Sequence, residues 1–376
     1  MTPYKRAFLN LAITLFGVLA VAVVGLVVED LLPNPDHDTF NFNRVVSAFC
    51  ALALLLFLVF RRTRTQEAFG TLYYVTYLAA GMRETHISEV RKYVPRHGNA
   101  KRLSRRWLAS TPSSKPQLAD IAMEVMTLGQ SLQVAMNEDD ISSGFSIAPD
   151  LLFPMSLSLG YDLIPWDGTT LDEMHLVGLQ EPHVDRWVLD KAPTAQSSSI
   201  EIRAVGERGG ATRVVADLTE RDVADAPWCF ATQREVRVAA FAPGTSGTQG
   251  ARMPVLLAEC HEQQRSGFAV IPAAEMVDVL VNAIRGAVHE SGGEPVLLAL
   301  RAPKTVILAL GWALRSSSCP VEPRCPRPAC ANPWDVLVPL HFAQGALGNP
   351  YIPMRVHVDQ PPLETMQARI DCLVRP

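Results

Sequence analysis

The sequence has no marked excess of either charge. Its 34 lysines and arginines against 38 aspartates and glutamates leave a formal net charge of −4. That excludes the broad basic face which non-specific binding to long nucleic acid requires. Cysteine is scarce: seven residues in a chain of 376 do not make the disulfide framework of a small secreted fold. Three of them, Cys319, Cys325 and Cys330, share the stretch CPVEPRCPRPAC. Zinc sites use tight cysteine pairs and four ligands. These spacings are looser, no fourth ligand is nearby and His341 lies downstream, so the stretch reads as a proline-rich surface loop with free thiols and no metal is expected. Catalytic signatures are missing too. There is no GxGxxG after a strand, no GxxxxGKS or GxxxxGKT, no HExxH and no GxSxG. His183, His261, His289, His341 and His357 are scattered and read as surface or core residues rather than bases. No catalytic residue and no cofactor is expected, and the chain is not expected to be an enzyme.

Long apolar runs, by contrast, are present at the start. Phe8 to Val28 is long enough for a bilayer, which takes about 20 apolar residues. Val45 to Phe60 follows as a shorter second run. Lys5 and Arg6 precede the first; Arg61, Arg62 and Arg64 follow the second; the loop between holds Glu29, Asp30, Asp36 and Asp38. The positive-inside rule then predicts a two-helix transmembrane hairpin over residues 1–64, in the bacterial inner membrane, with both termini cytoplasmic. Residues 65–116 read as a membrane-proximal connector. Within it AFGTLYYVTYLAAGM fits either a strand or a helix, and the basic KRLSRRW reads as a solvated loop.

From residue 117 to the C-terminus the pattern is α/β. KPQLADIAMEVMTLGQSLQVAMNEDD predicts a helix with Leu118, Ile121, Ala122, Val125, Leu128 and Leu132 on one face. SSG breaks it, FSIA is a strand, and Ala148-Pro149-Asp150 opens a second helix ending at Gly160. The same grammar returns later. PAAEMVDVLVNAIRGAVHE predicts a helix starting at Pro272, with Met276, Leu280, Ile284 and Val288 on one face. SGG breaks it, VLLAL is a strand, and Ala302-Pro303-Lys304-Thr305 opens a helix with Gly311-Trp312. Pairing Pro149 with Pro303 gives two diverged copies of one half-domain, roughly 117–235 and 236–376.

A strand feeding a helix through a short turn is the ligand-binding corner of a doubly wound sheet. Free amides at the helix N-terminus suit phosphate. Lys304 in a first helical turn is unfavourable against the helix dipole unless an anion is near. RAPKT therefore reads as a phosphate-facing corner, with Arg301, Lys304 and Thr305 as contacts and Ala148, Pro149 and Asp150 at the matching corner.

LLALRAPKTVILALGWALR, NPWDVLVPLHF and YIPMRVHVDQPP resemble the C-terminal half of a SAVED domain, and FSIAPDLLFPMSLSLGYDL is similar to its N-terminal half. With two spans in front, the chain resembles the membrane-anchored SAVED effectors of bacterial anti-phage (CBASS) systems. The resemblance implies two fused CARF-like Rossmann half-domains and a cyclic di- or trinucleotide ligand made by a partner nucleotidyltransferase. It also implies ligand-induced homo-oligomerisation with damage to the inner membrane. A membrane-anchored ring nuclease is the alternative. The cysteine-rich insert at 319–330 departs from the family pattern.

Overall fold

The computed structural model describes residues 70–79, 97, 99–107, 117–139, 144–174, 184–189, 200–219, 228–241, 252–257, 269–322, 325–342 and 350–374, with a few positions between 17 and 57. In chain order the first elements are β1 (Thr71–Ala79), β2 (Asn99–Trp107), β3 (Ala119–Asp120), α1 (Ala122–Asn137), β4 (Phe145–Leu151), α2 (Phe153–Asp162), β5 (Thr170–Met174) and β6 (Val184–Val188). The ambiguous TLYYVTYLA stretch is a strand. Its β-branched and aromatic residues suit the pleat, and Tyr73, Val75 and Tyr77 on one face enter the main core. KRLSRRW is no loop but part of β2, paired in parallel with β1 at all nine positions. Its place at the sheet edge lets Arg102 and Ser104 remain exposed.

The second set comprises β7 (Ile200–Gly206), β8 (Thr212–Asp217), β9 (Arg234–Phe241), β10 (Arg252–Met253), β11 (Val255–Leu257) and β12 (Ala269–Ile271). It continues with α3 (Ala273–Glu290), β13 (Val296–Arg301), α4 (Lys304–Ser316), α5 (Pro328–Ala331), β14 (Leu337–Phe342), β15 (Tyr351–Arg355) and α6 (Leu363–Asp371). The first sheet has the order β2-β1-β4-β5-β6, and the second contains β9-β8-β13-β14-β15. In each, the first four strands are parallel and the last pair is antiparallel. Two α/β units of one topology are thus joined in one chain. The second sheet is extended by β7 and β10 on β9, and by β3, which crosses over to pair with β15.

The repeat is tighter than the Pro149–Pro303 pairing suggested. The helices α1 and α3 start at 122 and 273, the strands β4 and β13 at 145 and 296, and the helices α2 and α4 at 153 and 304. All are 151 residues apart, as are Gly160 and Gly311. Pro149 and Asp150 therefore do not open a helix; they lie within β4. Proline is tolerated there because β5 pairs only with Ser146 and Ile147, leaving an edge beyond where no donor is needed. Gly160 lies inside α2 rather than ending it. The units diverge after the helix. From 153 the chain reaches β5 at 170, whereas from 304 it reaches β14 only at 337, so the cysteine-rich stretch is an excursion of 16 extra residues.

The units meet where α2 crosses α4. A Cβ on Gly160 would overlap the Leu308 carbonyl oxygen and lie 2.7 Å from its carbon. A Cβ on Gly311 would overlap the Leu157 carbonyl oxygen and lie 2.7 Å from Tyr161 N. Only glycine permits this approach. Val306 to Leu310 are all buried, as expected of a helix enclosed on every side. Hydrogen bonds from Ser158 Oγ to Val356 O (2.7 Å) and between His357 Nε2 and Asp162 Oδ1 (3.1 Å) tie the C-terminal segment to α2.

Among the described residues no helix is long and apolar enough to cross a membrane. The longest, α3, has 18 residues and is amphipathic, with Glu275, Asp278, Arg285 and Glu290 along it. The expected placement as a multi-pass inner-membrane protein is corrected to that extent: no described helix carries it. The runs Phe8 to Val28 and Val45 to Phe60 lie almost wholly outside the described residues.

Candidate functional site

The carboxyl ends of β4 and β5 in the first unit meet the N-terminus of α4 from the second. Pro303 caps α4 without any side-chain acceptor of its own, and the first turn holds no acid. The orphan amides are satisfied from the other unit. The Glu173 carboxylate accepts from Lys304 N (3.2 Å), Thr305 N (2.7 Å) and Thr305 Oγ1 (2.7 Å). Trp187 Nε1 donates in turn to Thr305 Oγ1 at 3.3 Å. Lys304 Nζ donates to Asp150 Oδ1, whose second oxygen accepts from Tyr74 OH at 3.0 Å. Asp150 is 1 % exposed and Thr305 0 %; the Lys304 side chain keeps a quarter of its surface.

Of the residues marked in the sequence, Asp150, Lys304 and Thr305 come together. Ala148 and Ala302 are buried backbone positions beside them, and Pro149 lies in β4. Arg301, at the end of β13, places its guanidinium 4.6 Å from the centre of the Phe342 ring. The anion that Lys304 calls for is present within the chain, as Asp150. The anion seat on the helix N-terminus is filled as well, by Glu173.

Glu173, Trp187 and Tyr74 escaped the sequence reading. A signal exists for the first: TLDEM puts two acids in succession on a strand, so they face opposite sides of the sheet. Glu173 turns to α4. Asp172, fully buried, takes two bonds from Arg186 (2.7 and 2.8 Å), and His97 Nε2 lies 3.6 Å away. Burial pushes the Asp172 carboxyl up, but the bonds from Arg186 and His97 outweigh it and hold it below the usual carboxylate range. This cluster braces β5 and β6 beneath the seam.

The arrangement places carboxylates on backbone amides at a helix start and beside a lysine, at the junction of two sheets, positions that favour negative charge.

No family model and no curated protein matches the chain. Among solved structures it is similar to the Acinetobacter baumannii Cap4 SAVED/CARF-domain containing receptor. With the cyclic trinucleotide 2'3'3'-cAAA the TM-score is 0.40 at 10 % identity, over 81 % of this chain and 55 % of that one. With 3'3'3'-cAAA it is 0.37 at 11 % identity, over 62 % and 44 %. The receptor solved without a named ligand gives 0.34 at 10 % identity, over 81 % and 53 %. The chain thus spans about half the length of these receptors. Likeness at this level bears on neither ligand nor activity.

Proposed function

We propose that the chain is a receptor for a cyclic oligonucleotide, bound at the seam between the two units and not cleaved there. The observation that supports it is the Glu173 carboxylate on the first amides and hydroxyl of α4, next to the Lys304–Asp150 pair. Both carboxylates act as placeholders for ligand phosphates. A phosphodiester displacing Glu173 gains the same donors, and Lys304 turns from Asp150 to a second phosphate. Because the donors belong to one unit and the placeholders to the other, the exchange loosens one inter-unit contact. A ligand can shift assembly only by its differential affinity for the assembled state, and we assign that difference to the rearranged seam. Ligand-driven self-association is the output we assign. The SAVED resemblance of the segments on either side of the seam supports a cyclic di- or trinucleotide as the ligand class and a nucleotidyltransferase as its source.

The test is calorimetric screening of the full chain against cyclic di-, tri- and tetranucleotides, 3'3'3'-cAAA and 2'3'3'-cAAA among them. One ring is expected to bind with micromolar affinity or better, to be recovered intact, and to increase the scattering mass of the protein. Binding by none removes the receptor reading. Recovery of linearised ligand replaces it with a ring nuclease.

A further inference from the structure

The sequence offered no fourth ligand for Cys319, Cys325 and Cys330, and folding supplies one. It is His289, in the last turn of α3, rather than the downstream His341. The Nδ1 atom of His289 lies 3.3 Å from Cys319 Sγ, 3.5 Å from Cys325 Sγ and 3.7 Å from Cys330 Sγ. All four potential ligand atoms fall within 4.8 Å of one another, and none of the three thiols is in a disulfide. Cys319 and Cys330 are buried; Cys325 and His289 are partly so.

Hydrogen bonding does not account for this. A neutral imidazole nitrogen has one lone pair and accepts one S–H, yet three sulfurs crowd the same atom at nearly equal range. A tetrahedral cation does account for it. With Zn–S of about 2.3 Å and Zn–N of about 2.0 to 2.1 Å, the tetrahedron's N···S edges come to about 3.6 Å. The three measured distances straddle that value.

Charge points the same way. Arg285 is 3 % exposed, and the bonds its guanidinium makes go to neutral oxygens: Leu314 O, Cys330 O (2.7 Å) and Ser317 Oγ (3.1 Å). A buried cation calls for a countercharge. Three thiolates and an imidazole around a divalent ion carry one net negative charge, and Arg285 already holds the backbone of one of the ligands.

We propose that His289, Cys319, Cys325 and Cys330 bind one zinc ion as a closed Cys3His structural site. Zinc displaces the three thiol protons on binding. Its four ligands leave no open position for catalysis. The ion staples the 16-residue excursion after α4 to the end of α3 and so fixes the approach to β14. Thiolate-rich tetrahedral geometry selects zinc over oxygen-preferring cations such as magnesium or calcium.

The test is metal analysis of the full chain purified under reducing conditions. Zinc is expected at one ion per chain. Cys325→Ser is expected to lose it, while Cys229→Ser and Cys372→Ser keep it. Stripped of zinc and titrated with cobalt(II), the wild-type protein should develop the intense visible bands of a tetrahedral thiolate site, saturating at one equivalent and bleached by zinc. This second readout uses unaltered protein, so it stands even if Cys325→Ser fails to fold. Wild-type protein with neither zinc nor a tetrahedral cobalt spectrum overturns the site, as does a folded Cys325→Ser variant with full zinc content.

Discussion

A single methyl group at position 160 or 311 is expected to cost about 3 kcal/mol or more of stability, a large share of the roughly 5 to 15 kcal/mol that keeps a domain folded. In Gly160→Ala the new Cβ overlaps the carbonyl of Leu308; in Gly311→Ala it overlaps that of Leu157. The obstructing atoms are backbone of a buried helix, so no side-chain rotation relieves them. The two helices would have to separate, opening the apolar interface that joins the units. Gly286→Ala in α3 is the control. A Cβ there meets nothing within 4 Å, and replacing a mid-helix glycine should add about 0.5 to 1 kcal/mol. Urea unfolding followed by circular dichroism distinguishes them. Wild-type midpoints for Gly160→Ala and Gly311→Ala would mean that α2 and α4 do not cross as described.

Lys304→Met is expected to cost about 2 to 3 kcal/mol before any ligand is involved. Asp150 keeps its bond from Tyr74 but loses the ammonium opposite a nearly inaccessible carboxylate. Removing one partner of a buried ion pair costs about 3 to 5 kcal/mol. The quarter of the Lys304 side chain left exposed admits water and lowers that figure. Combining Lys304→Met with Asp150→Asn should recover most of the loss, since the stranded charge goes with the pair. A double-mutant cycle from urea midpoints measures this coupling. Additive losses would show that the two side chains do not neutralise each other.

The repeated helix–breaker–strand–helix grammar was legible in sequence. Apolar periodicity marks the helices, and a glycine at positive φ lies in each linker: Gly144 (φ 73°) directly before β4, and Gly293 (φ 100°) three residues before β13 begins. Register was not legible. Proline signals a helix start as readily as a relaxed strand edge, so Pro149 was matched to Pro303 when Asp150 in fact corresponds to Arg301. The seam's inner half was out of reach for another reason. Glu173 and Lys304 are 131 residues apart, and no local pattern states that a strand of one unit will cap a helix of the other. His289 is the same case. It precedes Cys319 by 30 residues, at the end of a helix whose period announces only its buried face.

The central claim is that carboxylates of the first unit occupy phosphate seats on the second. It is tested most directly by the affinity of Glu173→Gln for whichever cyclic oligonucleotide the wild-type chain binds. Glutamine keeps an acceptor for the α4 amides but gives up the negative charge with which a phosphate must compete. If Glu173 is a placeholder, the variant binds about tenfold more tightly, equivalent to about 1.4 kcal/mol of released competition. Affinity unchanged or weakened in a folded Glu173→Gln protein would mean that the ligand does not enter at the start of α4.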